Sequence, residues 1–309
     1  MQTSINALLP IILLILLGYG LHRARCFTDE LWFGIEKLAY YVLTPALLIH
    51  ALTANPLGNL PWKGLLLTLH ITILSCALLM ILWQRWGRPL DAGSFTSLFQ
   101  GGLRFNPFIA LALANALWGE EGLLYGALAS VAMIILINIL CVIIFAVAVP
   151  RVKLSTTNLL YQLATNPLII GCVIGLSLNL FAIRLPDALQ QTITLTGRAA
   201  FPIALLAVGA ALEMRRLTMD WELMFTASLV QFIVKPLIAI LLMSLIGLTD
   251  LPAMIAVLFL AVPTAPSSYI LSRQLDGNYQ AMAAIITFQT LIAFITLPVT
   301  LSLIDMYPL

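Results

Sequence analysis

Stretches of about twenty consecutive apolar residues recur along this chain, and no other property limits its fold as strongly. Each is long enough, at the helical rise, to cross the roughly 30 Å hydrocarbon core of a bilayer. Such runs are read at about 4–22, 31–52, 62–84, 93–118, 122–149, 158–181, 187–214, 221–246, 251–272 and 279–304, with no room between them for a soluble domain. Of the 309 residues, 61% are hydrophobic and 9% charged, against roughly a quarter charged in a soluble domain. In hydrocarbon every backbone polar group needs a partner within the protein. The expected class is therefore an all-α polytopic membrane protein with ten transmembrane helices.

The connections set an expected orientation, because Lys and Arg collect on the cytoplasmic side. Arg23, Arg25, Arg85, Arg88, Arg151, Lys153, Arg215, Arg216 and Arg273 follow odd-numbered runs, whereas only Lys63 and Arg184 follow even-numbered ones. Both termini are thus expected outside the cell's inner membrane. Arginines follow the first run rather than precede it, so it reads as a permanent span and not a cleaved signal. The net charge of +2 reflects this asymmetry and gives no reason to expect a nucleic-acid partner. Cys26, Cys76, Cys141 and Cys172 lack metal or redox spacing, so no metal or cofactor is expected.

The chain also resembles itself. Gly18 precedes Pro45 by 27 residues, and Gly175 precedes Pro202 by the same 27. Asn106-Pro107 in the fourth run falls opposite Val262-Pro263 in the ninth. Residues 1–149 and 158–309 are then two halves of five spans each, and an odd number of spans inverts the second half. Inverted repeats with matching interrupted helices place a substrate site near the midplane.

The interruptions have a physical consequence. Proline lacks an N–H and clashes with the carbonyl four residues back, so Pro107 frees the carbonyl of Leu103, while Pro263 and Pro266 free those of Phe259 and Val262. Bare carbonyls persist at membrane depth only under cover of protein or water. Asn106 suits an N-cap with Pro107 in the first helical position, and Thr264, Ser267 and Ser268 surround Pro266. Each restarted half-helix points N–H groups and a positive dipole end into the gap, which favours an anion. Pro10, Pro45, Pro167, Pro202 and Pro298 are expected only to kink their helices.

Ionisable groups within spans mark functional candidates. Arg104 lies two residues before Asn106, and Lys235, with Gln231 one turn earlier, sits mid-span in the eighth run. His70 is central in the third, while Glu36, Glu213, Glu222 and Asp250 lie near span ends. A cationic centre suits an anionic substrate, with Arg104 forking onto a carboxylate. Arg104 also fits a role neutralising freed carbonyls; Lys235 fits either substrate binding or compensation of negative half-helix ends; His70 fits a hydrogen-bonded core position.

The segments LRFNPFIALALANALWGEEG (103–122), ILINIL around Asn138, PIALLAVGAAL (202–212) and AVPTAPSSYILSRQLDG (261–277) resemble the auxin efflux carrier family in its bacterial branch. The resemblance implies a fold akin to bile-acid/sodium symporters, with the fourth and ninth helices broken and crossing at the midplane. It implies a scaffold of spans 1, 2, 6 and 7 that often pairs two protomers, a mobile domain of spans 3–5 and 8–10, and substrates that are organic anions such as malate or malonate. Its crossover positions fall on Asn106, Pro107, Pro263 and Thr264 to Ser268. Pro107 departs from the bacterial pattern, where a small or hydroxyl residue often follows the asparagine.

The expected function is secondary transport of a small organic anion by alternating, elevator-like access. The candidate substrate residues are Arg104, Asn106, Pro107, Pro263, Thr264, Ser267 and Ser268; the candidate coupling or charge-compensating residues are His70, Gln231 and Lys235. Membrane lipid and a second copy of the chain are the expected partners. Sodium- or proton-coupled symport of bile-acid-like anions is the alternative. An intramembrane enzyme using Ser267 or Ser268 with His70 lacks a nucleophile elbow, and a non-transporting sensor lacks an output domain.

Overall fold

The computed structural model describes residues 2–54, 62–87, 89–150, 152, 155–218 and 221–306, and among them there is no strand. Arg88, Arg151 and Lys153, three of the basic residues behind the expected orientation, lie outside the described residues. The helices in chain order are α1 (Gln2–Arg23), α2 (Asp29–Leu38), α3 (Thr44–Ala54), α4 (Trp62–Trp86), α5 (Ala92–Leu103), α6 (Pro107–Ala148), α7 (Thr156–Ala164), α8 (Pro167–Leu180), α9 (Asp187–Arg198), α10 (Ala200–Ala210), α11 (Trp221–Leu229), α12 (Lys235–Ile246), α13 (Asp250–Ala261), α14 (Ser267–Gln274) and α15 (Tyr279–Met306).

Side-chain placement inverts that of a soluble protein. Leu13, Leu78, Val147, Leu180, Leu241 and Ile295 are exposed, while Gln100, Asn106, Gln231, Lys235 and Gln289 are each 0% exposed. Large apolar groups facing out and amides and an ammonium sealed inside are the arrangement a lipid solvent selects. Among the described residues, seven helices, or eight with one bent pair, are long and apolar enough to cross a membrane. One of them, Ala92–Ala148, has 57 residues. At 1.5 Å per residue it would be about 85 Å long if straight, nearly three times the hydrocarbon thickness. It is broken twice, between α5 and α6 and again at Gly119, whose φ of 60° and ψ of −143° stand inside α6. Nothing crowds the missing Cβ there, so backbone conformation is what calls for glycine.

Prolines shape the other helices in two ways. Ahead of Pro45 and Pro236 the chain widens into π-helices, Ala39–Leu43 and Val230–Val234. The N–H of Thr44 reaches the carbonyl of Ala39 and that of Lys235 reaches Val230, a five-residue step that absorbs the distortion while keeping the helix intact. Pro167 does more than kink its helix: α7 and α8 meet at 57°. The helix restarts with Asn166 as N-cap, its Oδ1 accepting from the N–H groups of Leu168 (3.0 Å) and Ile169 (3.4 Å). Pro167, expected only to kink its helix, instead marks a break and restart.

Packing sorts the helices. α1 lies most extensively on α10, and α3 on α8 and α9. Glycines let these backbones touch. A Cβ at Gly18 would strike the carbonyl oxygen of Leu206, one at Gly209 that of Ile15, and one at Gly175 would lie 2.9 Å from Leu52 and 3.2 Å from Cα of Ile49. α4 packs on α6, α12 and α13, and α11 on α5 and α15.

Candidate functional site

The first break begins where α5 ends at Leu103. Arg104 still donates its N–H to Gln100 at 2.8 Å, but its ψ of 158° turns the chain extended. α6 starts at Pro107 with Asn106 as N-cap, Oδ1 accepting from Phe108 (3.0 Å) and Ile109 (3.3 Å). The second break begins after Ala261, where Val262 is extended (ψ 151°), and ends as α14 starts at Ser267. The breaks touch: the Asn106 N–H donates to the Pro263 carbonyl at 2.8 Å, and the rings of Phe105 and Phe259 are 5.9 Å apart.

Two of the carbonyls that proline chemistry frees, those of Leu103 and Val262, are taken up by side chains. Lys235 Nζ donates to the Leu103 carbonyl (3.1 Å) and to Gln231 Oε1 (2.9 Å), and Gln231 Nε2 donates to the Val262 carbonyl. The wide turn of the π-helix ahead of Pro236 carries Gln231, one turn before Lys235. Gln289 of α15 makes a second clamp, donating Nε2 to the Gly101 carbonyl (2.9 Å) and accepting from the Thr264 N–H (3.0 Å). Behind them Thr264 Oγ1 and Ser268 Oγ are 3.3 Å apart, and Gln100 donates to Ser272 Oγ at 2.8 Å. One donor stays unmatched: Asn106 Nδ2 is buried with no acceptor among the described residues, a state that costs about 1–3 kcal/mol.

Arg104 faces the other way, into a cavity. Its guanidinium donates to Gln100 Oε1 (3.3 Å) and Asn138 Oδ1 (3.2 Å), which leaves further N–H donors of the fork for a ligand. A chamber of about 80 Å³ has Arg104, Pro107, Asn138, Asn166, Ser267 and Tyr40 in its wall. The same residues, Pro107 apart, line a vestibule of about 420 Å³ whose outer wall is Glu36, Lys37, Gln162 and Gln274. The N-termini of α6, α8 and α14 therefore converge on one arginine.

Of the expected residues, Arg104, Pro107 and Ser267 reach the cavity. Asn106, Pro263, Thr264 and Ser268 build the crossing behind it, and Gln231 and Lys235 clamp that crossing. His70 stands apart, its Nδ1 against the Leu66 carbonyl of its own helix at 2.7 Å. Tyr40, Asn166 and Gln289 were not singled out by sequence, and Asn138 entered only through the family resemblance. A polar residue in the middle of an apolar run was the one available signal for Gln289. Among the described residues, no group of three or more His, Cys, Asp or Glu is placed to hold a metal.

Comparison with known proteins follows the same lines. The model of a family described as "Membrane transport protein" matches residues 3–301. The uncharacterized transporter YfdV of Escherichia coli strain K12 is 23% identical over 310 residues, covering 95% of each chain. YfdV of Shigella flexneri matches with the same identity and coverage.

Proposed function

This chain belongs to the membrane transport protein family, that of the auxin efflux carriers, and on that premise we propose that it carries a small organic anion across the inner membrane by alternating access. The observation that carries the reading is Arg104, set in a cavity that the first residues of α6, α8 and α14 also line. Helix N-termini carry about half a positive charge each, and the arginine fork adds paired donors suited to a carboxylate. Malate- or malonate-sized anions are the proposed substrates. Asn106 Nδ2 is a further donor that movement of the crossing would bring to an acceptor.

The ten-pass inverted repeat is part of this proposal, and the glycine contacts support it. Gly18 of α1 meets Leu206, four residues after Pro202; Gly175 of α8 meets Ile49, four residues after Pro45. Two contacts related by the exchange of sequence-matched positions are what a twofold axis between halves produces. The packing likewise supports a scaffold of α1–α3 and α7–α10 and a mobile unit of α4–α6 and α11–α15. The cavity lies between the two, with Tyr40 and Asn166 on the scaffold side and Arg104, Asn138 and Ser267 on the other. A site shared across such a boundary suits an elevator motion, and the scaffold is the proposed seat of a homodimer.

The vestibule is lined by Phe33, Glu36 and Lys37 of α2, Gln162 of α7 and Gln274 at the end of α14, on the side of the crossing toward the connections that follow the first and ninth runs. In the orientation expected from the basic residues, the termini are outside and this is an inward-open state. A serine hydrolase reading finds no support, since no hydrogen bond joins His70 to Ser267 or Ser268 among the described residues. The test is uptake of labelled mono- and dicarboxylates into proteoliposomes of the purified protein: saturable uptake, lost in Arg104→Ala, is expected, and uptake of none of them or an unchanged Arg104→Ala would reject the proposal.

A further inference from the structure

Lys235 is 0% exposed, and both acceptors of its ammonium, the Leu103 carbonyl and Gln231 Oε1, are neutral groups. A buried ammonium is costly unless something nearby carries compensating negative charge. Here that charge comes from the backbone. α5 ends at Leu103 and α13 at Ala261, each a helix C-terminus bearing roughly half a negative elementary charge. Two such ends brought together sum to about one, which one ammonium balances. Gln231 joins them, since it accepts from Lys235 and donates to the Val262 carbonyl.

From this balance we infer that Lys235 is a tethered counter-cation, standing where a dissolved monovalent cation would otherwise be needed, and that removing it leaves a latent site for such a cation. The Leu103 carbonyl and Gln231 Oε1, the two acceptors of the ammonium, are oxygen ligands of the kind that hard cations such as Na⁺ take. The wild-type crossing is consequently complete without an inorganic cation. The inference depends on the crossing described above but not on the identity of the anion, so its test needs no substrate and fails separately from the transport assay.

The experiment is thermal unfolding of the full-length purified protein in choline, sodium or methylammonium chloride at one ionic strength and pH. Wild type is expected to unfold at the same temperature in all three. Lys235→Ala is expected to lose several degrees in choline, because two carbonyls lose their donors, and to recover them saturably as sodium or methylammonium replaces choline. Lys235→Ser, which leaves a similar space and adds an oxygen ligand, serves the same comparison if the alanine variant does not survive extraction. Stabilisation of the wild type by sodium over choline would overturn the inference, as would neutral variants indifferent to every small cation. If neither neutral variant can be purified in any of the three salts, the cation fails to replace the side chain and the inference is likewise overturned.

Discussion

The seam between α1 and α10 and the crossing of α5–α6 with α13–α14 are both places where helices come unusually close, yet they are held by opposite means. At the seam, Gly18 and Gly209 remove side chains so that backbone lies on backbone. At the crossing the helices are interrupted, and side chains of Lys235, Gln231 and Gln289 supply what the missing turns would have given. Dispersion holds the seam, since lipid tails provide little hydrophobic drive between helices; hydrogen bonds hold the crossing, where each unmatched partner is expensive. The seam should therefore be sensitive to volume and the crossing to chemistry.

The largest effect is expected where volume is added to the seam. Gly209→Leu places a side chain against the Ile15 carbonyl, and loss of a monodisperse peak in size-exclusion chromatography is expected. Gly20→Leu, at an exposed position where a Cβ meets nothing within 4 Å, should elute like wild type; equal behaviour of the two variants would break the distinction. At the crossing the converse test keeps volume and changes chemistry. Gln289→Glu keeps the shape but removes the donor to Gly101, and a loss of about 3 kcal/mol is expected. A thermal midpoint within about a degree of wild type would show that the clamp is not needed.

A smaller and more specific effect is expected for Arg104. Arg104→Ala should weaken carboxylate binding between about tenfold and a hundredfold, the range of a charge-assisted hydrogen bond, with little change in unfolding temperature, and Arg104→Lys should fall between. Titration calorimetry with the transported anion decides this, and equal affinities would remove Arg104 from the site. The smallest effects sharpen the comparison further. Asn106→Ala and Asn166→Ala each remove an N-cap worth about 1 kcal/mol. Both should lower stability to a similar degree, while only the first removes a side chain from the crossing itself. A binding defect confined to Asn166→Ala would move the site toward α8.

What the sequence made legible follows from how local the physics is. Proline acts on the carbonyl four residues back, and an N-cap acts on the next two or three N–H groups, so the breaks at Asn106-Pro107 and Val262 to Ser268 could be read from short stretches. So could the carbonyls of Leu103 and Val262 left wanting donors. Which side chains answer them was legible only in part. Lys235 stood out because a lysine in mid-span needs a reason, and compensation of helix ends was one reading already open to it. Gln289 did not stand out, because a neutral amide is tolerated in many places and its reach to Gly101 spans 188 residues of sequence. Asn166-Pro167 repeats the dipeptide of Asn106-Pro107, whereas at Pro10 the preceding residue is Leu9 and α1 runs on unbroken. Tyr40 reaches the cavity from a π-turn, whose widened register a 3.6-residue period does not anticipate.

The bond from the Asn106 N–H to the Pro263 carbonyl belongs wholly to the main chain. No exchange of side chains at those two positions deletes its acceptor, and only proline at 106 would delete its donor. Such a weld leaves the chamber around Arg104 free to vary by ordinary substitution, while the joint between the two fractured helices is inherited intact.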